Sequence, residues 1–163
     1  MALKRWQKLA ASGASALAIA GAMTAAFEGM RYHVYGDVGG VPTVCQGVTA
    51  GSLPPGVTID PKHTYTPAEC VLLDSYAEHK AQAGVQASVT VPLTQPQLAA
   101  FTDFAYNVGI GAWLRSTARA DLNAGRYRDA CDQLLRWVYA GGRKQRGLEI
   151  RRQAEWQLCT GQY

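Results

Sequence analysis

The sequence predicts an α+β fold in which a small β-sheet is followed by a helical bundle. Residues 32–57 are rich in Gly, Val, Tyr, Thr and Pro, a composition typical of short strands and turns. Beyond residue 66, two helix-start signals and apolar residues at helical spacing indicate several helices. A chain of 163 residues is long enough to bury a core, so we expect one domain, compact or divided into two lobes.

The chain begins with a segment that is long enough to cross a membrane. Lys4, Arg5 and Lys8 precede 19 uncharged residues, 9–27, which is close to the roughly 20 residues that a membrane-spanning helix needs. Because the cationic flank lies on the N-terminal side, we expect a helix with its N-terminus in the cytoplasm and the rest of the chain exported. Trp6 lies beside this flank, where it suits the membrane interface.

The same segment is weakly apolar, because 14 of its 19 residues are Ala, Gly, Ser or Thr. Its five bulky apolar residues contribute only about −2 to −3 kcal/mol to membrane insertion. We therefore expect a membrane anchor that can be released. Two alternatives remain, which are a signal peptide cleaved near the small residues 20–22 or 24–26, and a permanent anchor.

A long helix is predicted to follow the β region. Thr66 is a favourable N-cap, Pro67 suits the first helical position, and Glu69 completes a capping box. We expect this helix over residues 67–83, with Gly84 as its stop signal.

Four further helices are predicted in the C-terminal half. A second helix-start signal at residues 94–97 leads into apolar residues at helical spacing, which indicate a buried helix that ends at Gly109. The remaining helices are expected over residues 116–124, 128–138 and 148–158.

Positive charge is concentrated in the C-terminal part of the chain. The net charge is +4, and residues 111–163 carry ten Lys or Arg against five Asp or Glu. That half should favour a polyanionic surface. We do not expect nucleic-acid binding, because the Arg residues are scattered over several predicted helices and form no fingerprint of a nucleic-acid module.

The four cysteines predict disulfides rather than a zinc site. They form no CxxC pair and have no nearby His at metal-binding spacing, so no metal is expected. If the body of the protein lies outside the cytoplasm, two disulfides are the simpler account. Spacing does not determine the pairing; the expected pairs are Cys45 with Cys70 and Cys131 with Cys159.

Two carboxylates and a hydroxyl follow the apolar segment. Glycoside hydrolysis needs one carboxylic acid that is held protonated, to protonate the leaving oxygen, and a second carboxylate that stays ionised. Glu28 follows an apolar helix, which favours the protonated acid, whereas Asp37 lies in a polar, Gly-rich turn. Thr43 could hold a water molecule for Asp37, since a hydroxyl donates and accepts hydrogen bonds. Taken alone, such a pair is more often two solvated surface charges.

Residues 28–47, EGMRYHVYGDVGGVPTVCQG, resemble the signature of the phage-type lysozymes, glycoside hydrolase family 24. The likeness continues through YTPAEC, FAYNVG, ACDQLLRWVYAGG and RGLEIRRQAEWQLC, and so covers essentially all of residues 28–159. It implies a lysozyme-like fold of two lobes, joined by the helix at 67–83, with a cleft between them. It also implies that Glu28 is the general acid, that Asp37 is the general base or stabilising carboxylate, and that the Thr43 hydroxyl positions water.

The resemblance implies roles for four more residues, each with a plainer alternative. Tyr106 and Asn107 would face the sugar cleft, although Tyr106 could equally belong to the core. Ser116 matches a substrate contact of the family but is also the natural N-cap of its helix. Arg146 aligns with a basic residue that can lie near the catalytic Glu; its alternative is a plain surface position.

The N-terminal segment is similar to the signal-arrest-release segment of endolysins from temperate phages of Gram-negative bacteria. Such enzymes are held on the periplasmic face of the inner membrane and become active when the segment leaves the bilayer. We therefore expect residues 1–27 to form this segment and residues 28–163 to form a monomeric catalytic domain that is released to the periplasm. The function implied is hydrolysis of the β-1,4 bond between N-acetylmuramic acid and N-acetylglucosamine in peptidoglycan, which lyses the host cell.

Two other functions stay open on the sequence alone. A basic protein could permeabilise membranes directly through its helices, including residues 143–152. A related glycosidase could act on another amino-sugar polymer, such as chitosan. The lysozyme reading implies no metal and no organic cofactor.

Overall fold

The computed structural model describes residues 4–37 and 39–163, and the mixed α+β fold predicted from the sequence is confirmed. The helices are α1 (Arg5–Ala11), α2 (Ala16–Phe27), α3 (Pro67–Ser88), α4 (Gln95–Val108), α5 (Ile110–Leu114), α6 (Thr117–Asn123), α7 (Tyr127–Leu134) and α8 (Arg146–Thr160). The strands are β1 (Arg31–Gly36), β2 (Pro42–Cys45), β3 (Val48–Thr49), β4 (Tyr139–Ala140) and β5 (Arg143–Lys144).

The N-terminal segment forms two helices, where the sequence predicts one over residues 9–27. Gly13 adopts a positive φ of 75°, and the Ser15 hydroxyl accepts a hydrogen bond from the Ala18 N–H at 3.4 Å, so α1 ends and α2 begins within a few residues. Among the helices that the structure describes, none combines the length and the apolar character needed to cross a membrane. Trp6, expected at a membrane interface, is instead buried in the protein core.

Helix α2 belongs to the core of the helical lobe and packs mainly on α4. Ala16, Ile19, Ala20 and Met23 are each no more than 1% exposed. The small side chains let the two helices approach closely, and the Ala16 N–H donates to the side-chain oxygen of Gln95 at 2.8 Å. In this structure the weakly apolar segment is therefore an integral part of the folded protein.

The small lobe is built on a three-stranded antiparallel sheet in the order β1-β2-β3. Tyr35 lies opposite Thr43 across the first strand pair, and Val44 lies opposite Val48 across the second. Buried side chains from the sheet pack against α3, and the predicted disulfide between Cys45 and Cys70 joins β2 to that helix. The sheet is thereby held at the N-terminal end of α3.

Helix α3 begins where the sequence predicts but ends later. Thr66 caps it, because its hydroxyl accepts from the Glu69 N–H at 3.2 Å while its own N–H donates to the Glu69 carboxylate at 2.7 Å. The helix passes through Gly84, the predicted stop, and ends at Ser88. Gly84 serves packing instead, since a Cβ atom there would lie only 2.2 Å from Cδ1 of Ile110 on α5.

The remaining helices complete a second apolar core. Gly109 ends α4 with a φ of 85°, as predicted, and the short α5 that follows was not predicted. Helix α7 ends at Leu134 rather than at residue 138, and the hairpin of β4 and β5 turns at Gly141 and Gly142, whose φ values are positive. The predicted disulfide between Cys131 and Cys159 connects α7 to α8.

Candidate active site

Glu28 lies where α2 ends. Its N–H donates to the Thr24 carbonyl at 2.8 Å, closing the last helical turn, while its own backbone has become extended. The Glu28 side chain is 25% exposed, and its carboxylate accepts a hydrogen bond from Nη1 of Arg151 on α8. One side of this acid is therefore packed against a buried cation, and the other side remains accessible.

The basic residue beside Glu28 is Arg151, and Arg146 takes the surface position that was its alternative. Arg146 is exposed at the first turn of α8, whereas the Arg151 side chain is only 3% exposed. Five residues rotate a helix by about 140°, so the two side chains leave α8 on different faces. A signal for Arg151 was present in the sequence, since Arg151 and Glu155 are spaced by four residues on one face.

Asp103 on α4 fixes the orientation of Arg151. The Arg151 guanidinium donates from Nε to one Asp103 oxygen and from Nη2 to the other, each at 2.9 Å. The Thr24 hydroxyl on α2 donates to the same carboxylate at 3.2 Å. Burial alone would raise the pKa of Asp103, but the paired Arg151 outweighs it and the pKa lies below its usual value. The sequence reasoning missed both Asp103 and Thr24.

Asn107 is held by a second buried arginine. Arg152 donates to both oxygens of Glu155, at 2.9 and 2.8 Å, and its Nη2 donates to the side-chain oxygen of Asn107. Burial raises the pKa of Glu155 well above its usual value, although Arg152 opposes this effect. Asn107, predicted to face the sugar cleft, is half-buried with its carbonyl oxygen engaged by Arg152, which leaves its amide N–H groups as the donors for a ligand.

Tyr106 connects the two lobes next to Glu28. Its hydroxyl donates to the Gln46 carbonyl at 2.9 Å, and its ring packs against both apolar cores. A Cβ atom on Gly47 would lie 3.7 Å from Cδ of Glu28 and 3.7 Å from Cε1 of Tyr106, so all three residues meet. Burial raises the pKa of Tyr106, which stays a neutral donor. Tyr106 therefore combines the core role and the position near the site that were predicted as alternatives.

Asp37 and Thr43 lie at the turn between β1 and β2. Oδ1 of the exposed Asp37 accepts from the N–H groups of Gly39 and Val41, both at 2.8 Å, which orients the carboxylate. Thr43 is 2% exposed, and its hydroxyl donates to the Val41 carbonyl at 2.8 Å. While that bond persists, the Thr43 hydroxyl can only accept a hydrogen bond from water.

Tyr35 lies in the electric field of both candidate carboxylates. Burial raises the pKa of Tyr35, and the charges of Glu28 and Asp37 raise it further. The Arg31 guanidinium lies 4.4 Å from the centre of the Tyr35 ring and opposes this effect. The charges of Glu28 and Asp37 therefore both act on Tyr35, although the two acids belong to different elements.

Ser116 acts as a helix cap. Its hydroxyl accepts from the Arg119 N–H at 3.1 Å, and the residue is 5% exposed. The capping alternative is thus confirmed, and this geometry does not favour direct contact with substrate.

Two further acids, missed by the sequence reasoning, lie one turn apart on α3. Asp74 accepts a hydrogen bond from the Gln46 N–H at 3.0 Å, and burial raises its pKa to about 6. Burial, together with the charges of Asp74 and Asp103, raises the pKa of Glu78 to about 7. The Glu78 carboxylate abuts α2, since a Cβ atom on Gly21 would lie 2.9 Å from its Oε2.

A metal site is not evident in residues 4–37 and 39–163, where no three His, Cys, Asp or Glu side chains converge closely enough to hold an ion.

Known proteins resemble both the sequence and the fold. The family model described as phage lysozyme matches residues 25–155. The chain is 35% identical over 156 residues to the SAR-endolysin of Enterobacteria phage P21, covering 92% of this chain and 91% of that protein. The endolysin from Escherichia coli O157:H7 phage FAHEc1 superposes with a TM-score of 0.71 at 26% identity, covering 98% of this chain and 93% of that one. The active form of P1 phage endolysin Lyz shares the fold, with a TM-score of 0.72 at 22% identity, covering 100% of this chain and 96% of that one.

Proposed function

Because the chain belongs to the phage lysozyme family, we propose that it is an endolysin that hydrolyses the β-1,4 bond between N-acetylmuramic acid and N-acetylglucosamine in peptidoglycan. The observation that carries this proposal is the different burial of the two acids, Glu28 and Asp37. Glu28 is partly buried against Arg151, whereas Asp37 lies in an exposed turn, where its Oδ1 accepts two backbone hydrogen bonds. Two acids in unlike environments are what glycoside hydrolysis requires.

Each residue has a distinct part in the proposed reaction. Glu28 protonates the leaving glycosidic oxygen as the bond to the anomeric carbon breaks. Asp37 stabilises the positive charge that develops on the sugar ring or removes a proton from the attacking water. The Thr43 hydroxyl accepts a hydrogen bond from that water, since its own proton is directed to the Val41 carbonyl. Tyr106 closes the site beside Glu28 and orders the loop that contains Gly47.

Replacing Glu28 with Gln tests the proposed function. The amide retains the shape but has no acidic proton to give, so we expect a loss of about 10²- to 10⁴-fold in the hydrolysis of purified peptidoglycan. Glu149→Gln is the matched control, because Glu149 is a half-exposed glutamate paired with Lys144 on the surface. Wild type and control should release fragments with N-acetylmuramic acid at the new reducing end, as read by mass spectrometry.

The same assay separates the alternative functions. A membrane-permeabilising protein would release dye from liposomes that contain no peptidoglycan, and its effect would survive Glu28→Gln. A different amino-sugar hydrolase would leave peptidoglycan intact and shorten chitosan. Full muralytic activity in Glu28→Gln would show that another residue supplies the proton.

The proposal extends to regulation by the N-terminal segment. Residues 9–27 would first hold the protein in the inner membrane of the host, with its N-terminus in the cytoplasm, and then leave the bilayer to release the enzyme into the periplasm. Two observations support this course. The similarity to the SAR-endolysin of phage P21 extends over 92% of the chain, and the residues of the segment are weakly apolar. The packing of α2 on α4 gives the segment a place in the folded protein after release.

A further inference from the structure

The end of α2 carries Glu28 and also Thr24, which contacts the residue that orients Arg151, the partner of Glu28. Thr24 and Glu28 are four residues apart and share a backbone hydrogen bond of 2.8 Å. The Thr24 side chain is fully buried, and its hydroxyl donates to Oδ1 of Asp103 at 3.2 Å. Asp103 in turn binds Arg151, which binds Glu28. The four side chains form a closed loop that begins and ends on α2.

Both oxygens of Asp103 are used in this loop. Oδ2 accepts from Nε of Arg151, and Oδ1 accepts from Nη2 of Arg151 and from Thr24. A guanidinium held at two of its nitrogens in one plane has its third nitrogen directed by geometry, and here Nη1 points at Glu28. The position of the cation beside Glu28 thus depends on the position of Asp103.

We propose that Thr24 and Asp103 are positioning residues for Glu28, because together they orient the Arg151 guanidinium that contacts its carboxylate. The inference rests on the proposed function, since it assigns these residues to the general acid.

Several charged groups surround Asp103 and act on it electrostatically. Arg151 and Arg152 face it from α8, Glu155 lies on the same helix, and Glu78 on α3 also acts on it through its charge. Around Glu28, the nearby ionisable groups are Arg151, Tyr35 and Tyr106. Asp103 offsets part of the Arg151 charge, so that Glu28 experiences less of that charge.

Thr24→Val tests the positioning role in the full-length protein. Valine has nearly the same shape, so α2 should still pack, but the donor to Asp103 is lost. We expect kcat for peptidoglycan hydrolysis to fall about tenfold with KM unchanged. Thr24→Ser restores a hydroxyl and should recover most of the activity. Thr102→Val is the matched control, because Thr102 is fully buried on α4 and its hydroxyl has no hydrogen-bond partner among the described residues.

Asp103→Asn tests the electrostatic role. The amide keeps the shape but removes the negative charge, which leaves Glu28 exposed to more of the Arg151 charge. We expect the alkaline limb of the pH profile of kcat to move by about one unit to lower pH, because a nearby cation favours the ionised carboxylate. A purely structural role would lower kcat at every pH and leave the limb in place.

The outcomes separate this inference from the proposed function. If Glu28→Gln is inactive but Thr24→Val and Asp103→Asn keep the wild-type kcat and pH profile, the positioning role is wrong and the function stands. If wild type does not cleave peptidoglycan, the proposed function itself fails. Thermal unfolding of each variant shows whether it is folded, and if Thr24→Val is unfolded, the pH profile of Asp103→Asn decides alone.

Discussion

Arg151 contacts Asp103 and Glu28 at once, and this sharing limits how much positive charge reaches Glu28. Burial by itself would lower the pKa of Arg151, but the carboxylates of Asp103 and Glu28 raise it by more than burial lowers it, so the guanidinium stays charged. An arginine suits this place because its planar fork binds one carboxylate with two nitrogens and still has a third to offer. A lysine would supply the positive charge, but its ammonium group lacks the planar geometry that directs the third nitrogen at Glu28.

Asp74 and Glu78 on α3 differ from Asp103 and Glu28, which are both paired with Arg151. Neither Asp74 nor Glu78 forms a salt bridge with a cation among the described residues. Asp74 and Glu78 carry raised pKa values of about 6 and about 7, mainly because they are buried. Their charged forms are therefore disfavoured in the folded protein. As the pH rises, the unfolded chain ionises these acids before the folded one does, so the free energy of unfolding falls with pH.

Glu78→Gln should stabilise the protein in a pH-dependent way. The wild-type penalty is absent below about pH 4 and is complete above about pH 7, the folded pKa of Glu78. We expect the variant to match wild type near pH 4 and to gain about 1 kcal/mol at pH 8, or roughly 2–4 °C in melting temperature. Glu69→Gln is the control, since the Thr66 cap lowers the pKa of Glu69 and this variant should gain nothing at pH 8. A constant difference across the range would contradict the burial of Glu78.

Among the secondary-structure elements, α3 shows how packing overrides a local signal. It continues through Gly84 for another turn because its glycine leaves room for Ile110 of α5. Helix α5 follows Gly109 directly, so the side chain of Ile110 is brought onto α3 by the turn that ends α4. The contact of Ile110 with Gly84 therefore joins α5 to the C-terminal part of α3.

Gly84→Ala should destabilise the protein, although alanine normally favours a helix. The added methyl would overlap Ile110, and overpacking of this kind costs about 1–3 kcal/mol. Combining it with Ile110→Ala should lose less than the sum of the two single losses, as measured by urea unfolding. The control is Gly147→Ala on α8, where no atom lies within 4 Å of the new methyl and no loss is expected. Strict additivity of the double variant would contradict the contact.

At the scale of the whole molecule, residues 9–27 suit two environments. Their small side chains make insertion into a bilayer marginal, and the same side chains allow α2 to pack closely on α4. The buried positions of α2 are occupied by Ala16, Ile19, Ala20, Ala22 and Met23, with Thr24 at the site. A more apolar segment would be a better anchor, and bulkier residues on the buried face would not fit the core.

Substitutions at solvent-exposed positions of residues 9–27 should change how strongly the segment prefers the membrane over the folded protein. Ala11, Ala18 and Ala25 are exposed and seven residues apart, so leucine at these positions adds about −1 to −2 kcal/mol to insertion without entering the core. We expect more protein in the membrane fraction and later lysis of expressing cells. The same three positions changed to serine form the control, which should remain soluble and lyse on time.

The activity of the released leucine variant provides a second test. Because the three positions face solvent, the leucine variant should hydrolyse purified peptidoglycan at the wild-type rate once it is in solution. Unchanged membrane retention and unchanged timing of lysis would contradict a role for the segment as a releasable anchor.

Much of the local structure was predicted correctly because its signals lie within a turn of the chain. The capping box at Thr66 and the caps at Ser116 and Gly109 agree with the structure. The approximate places of Asp37 and Glu28, one in an exposed turn and the other at the end of an apolar helix, were also evident. These features depend on neighbouring residues and on backbone geometry, which a sequence displays directly.

The surroundings of Glu28 were decided by tertiary structure alone. Its partner Arg151 is 123 residues away in the chain, and the orientation of that partner depends on Asp103 and Thr24 from two other helices. The family resemblance suggested Arg146 for this place, with a surface position as the alternative, and Arg146 leaves α8 on another face. By itself the sequence determined the order of the elements, the family and the kinds of residue at the site. Packing decided which charges meet, because a helix rotates about 100° per residue and only the fold chooses which face is buried.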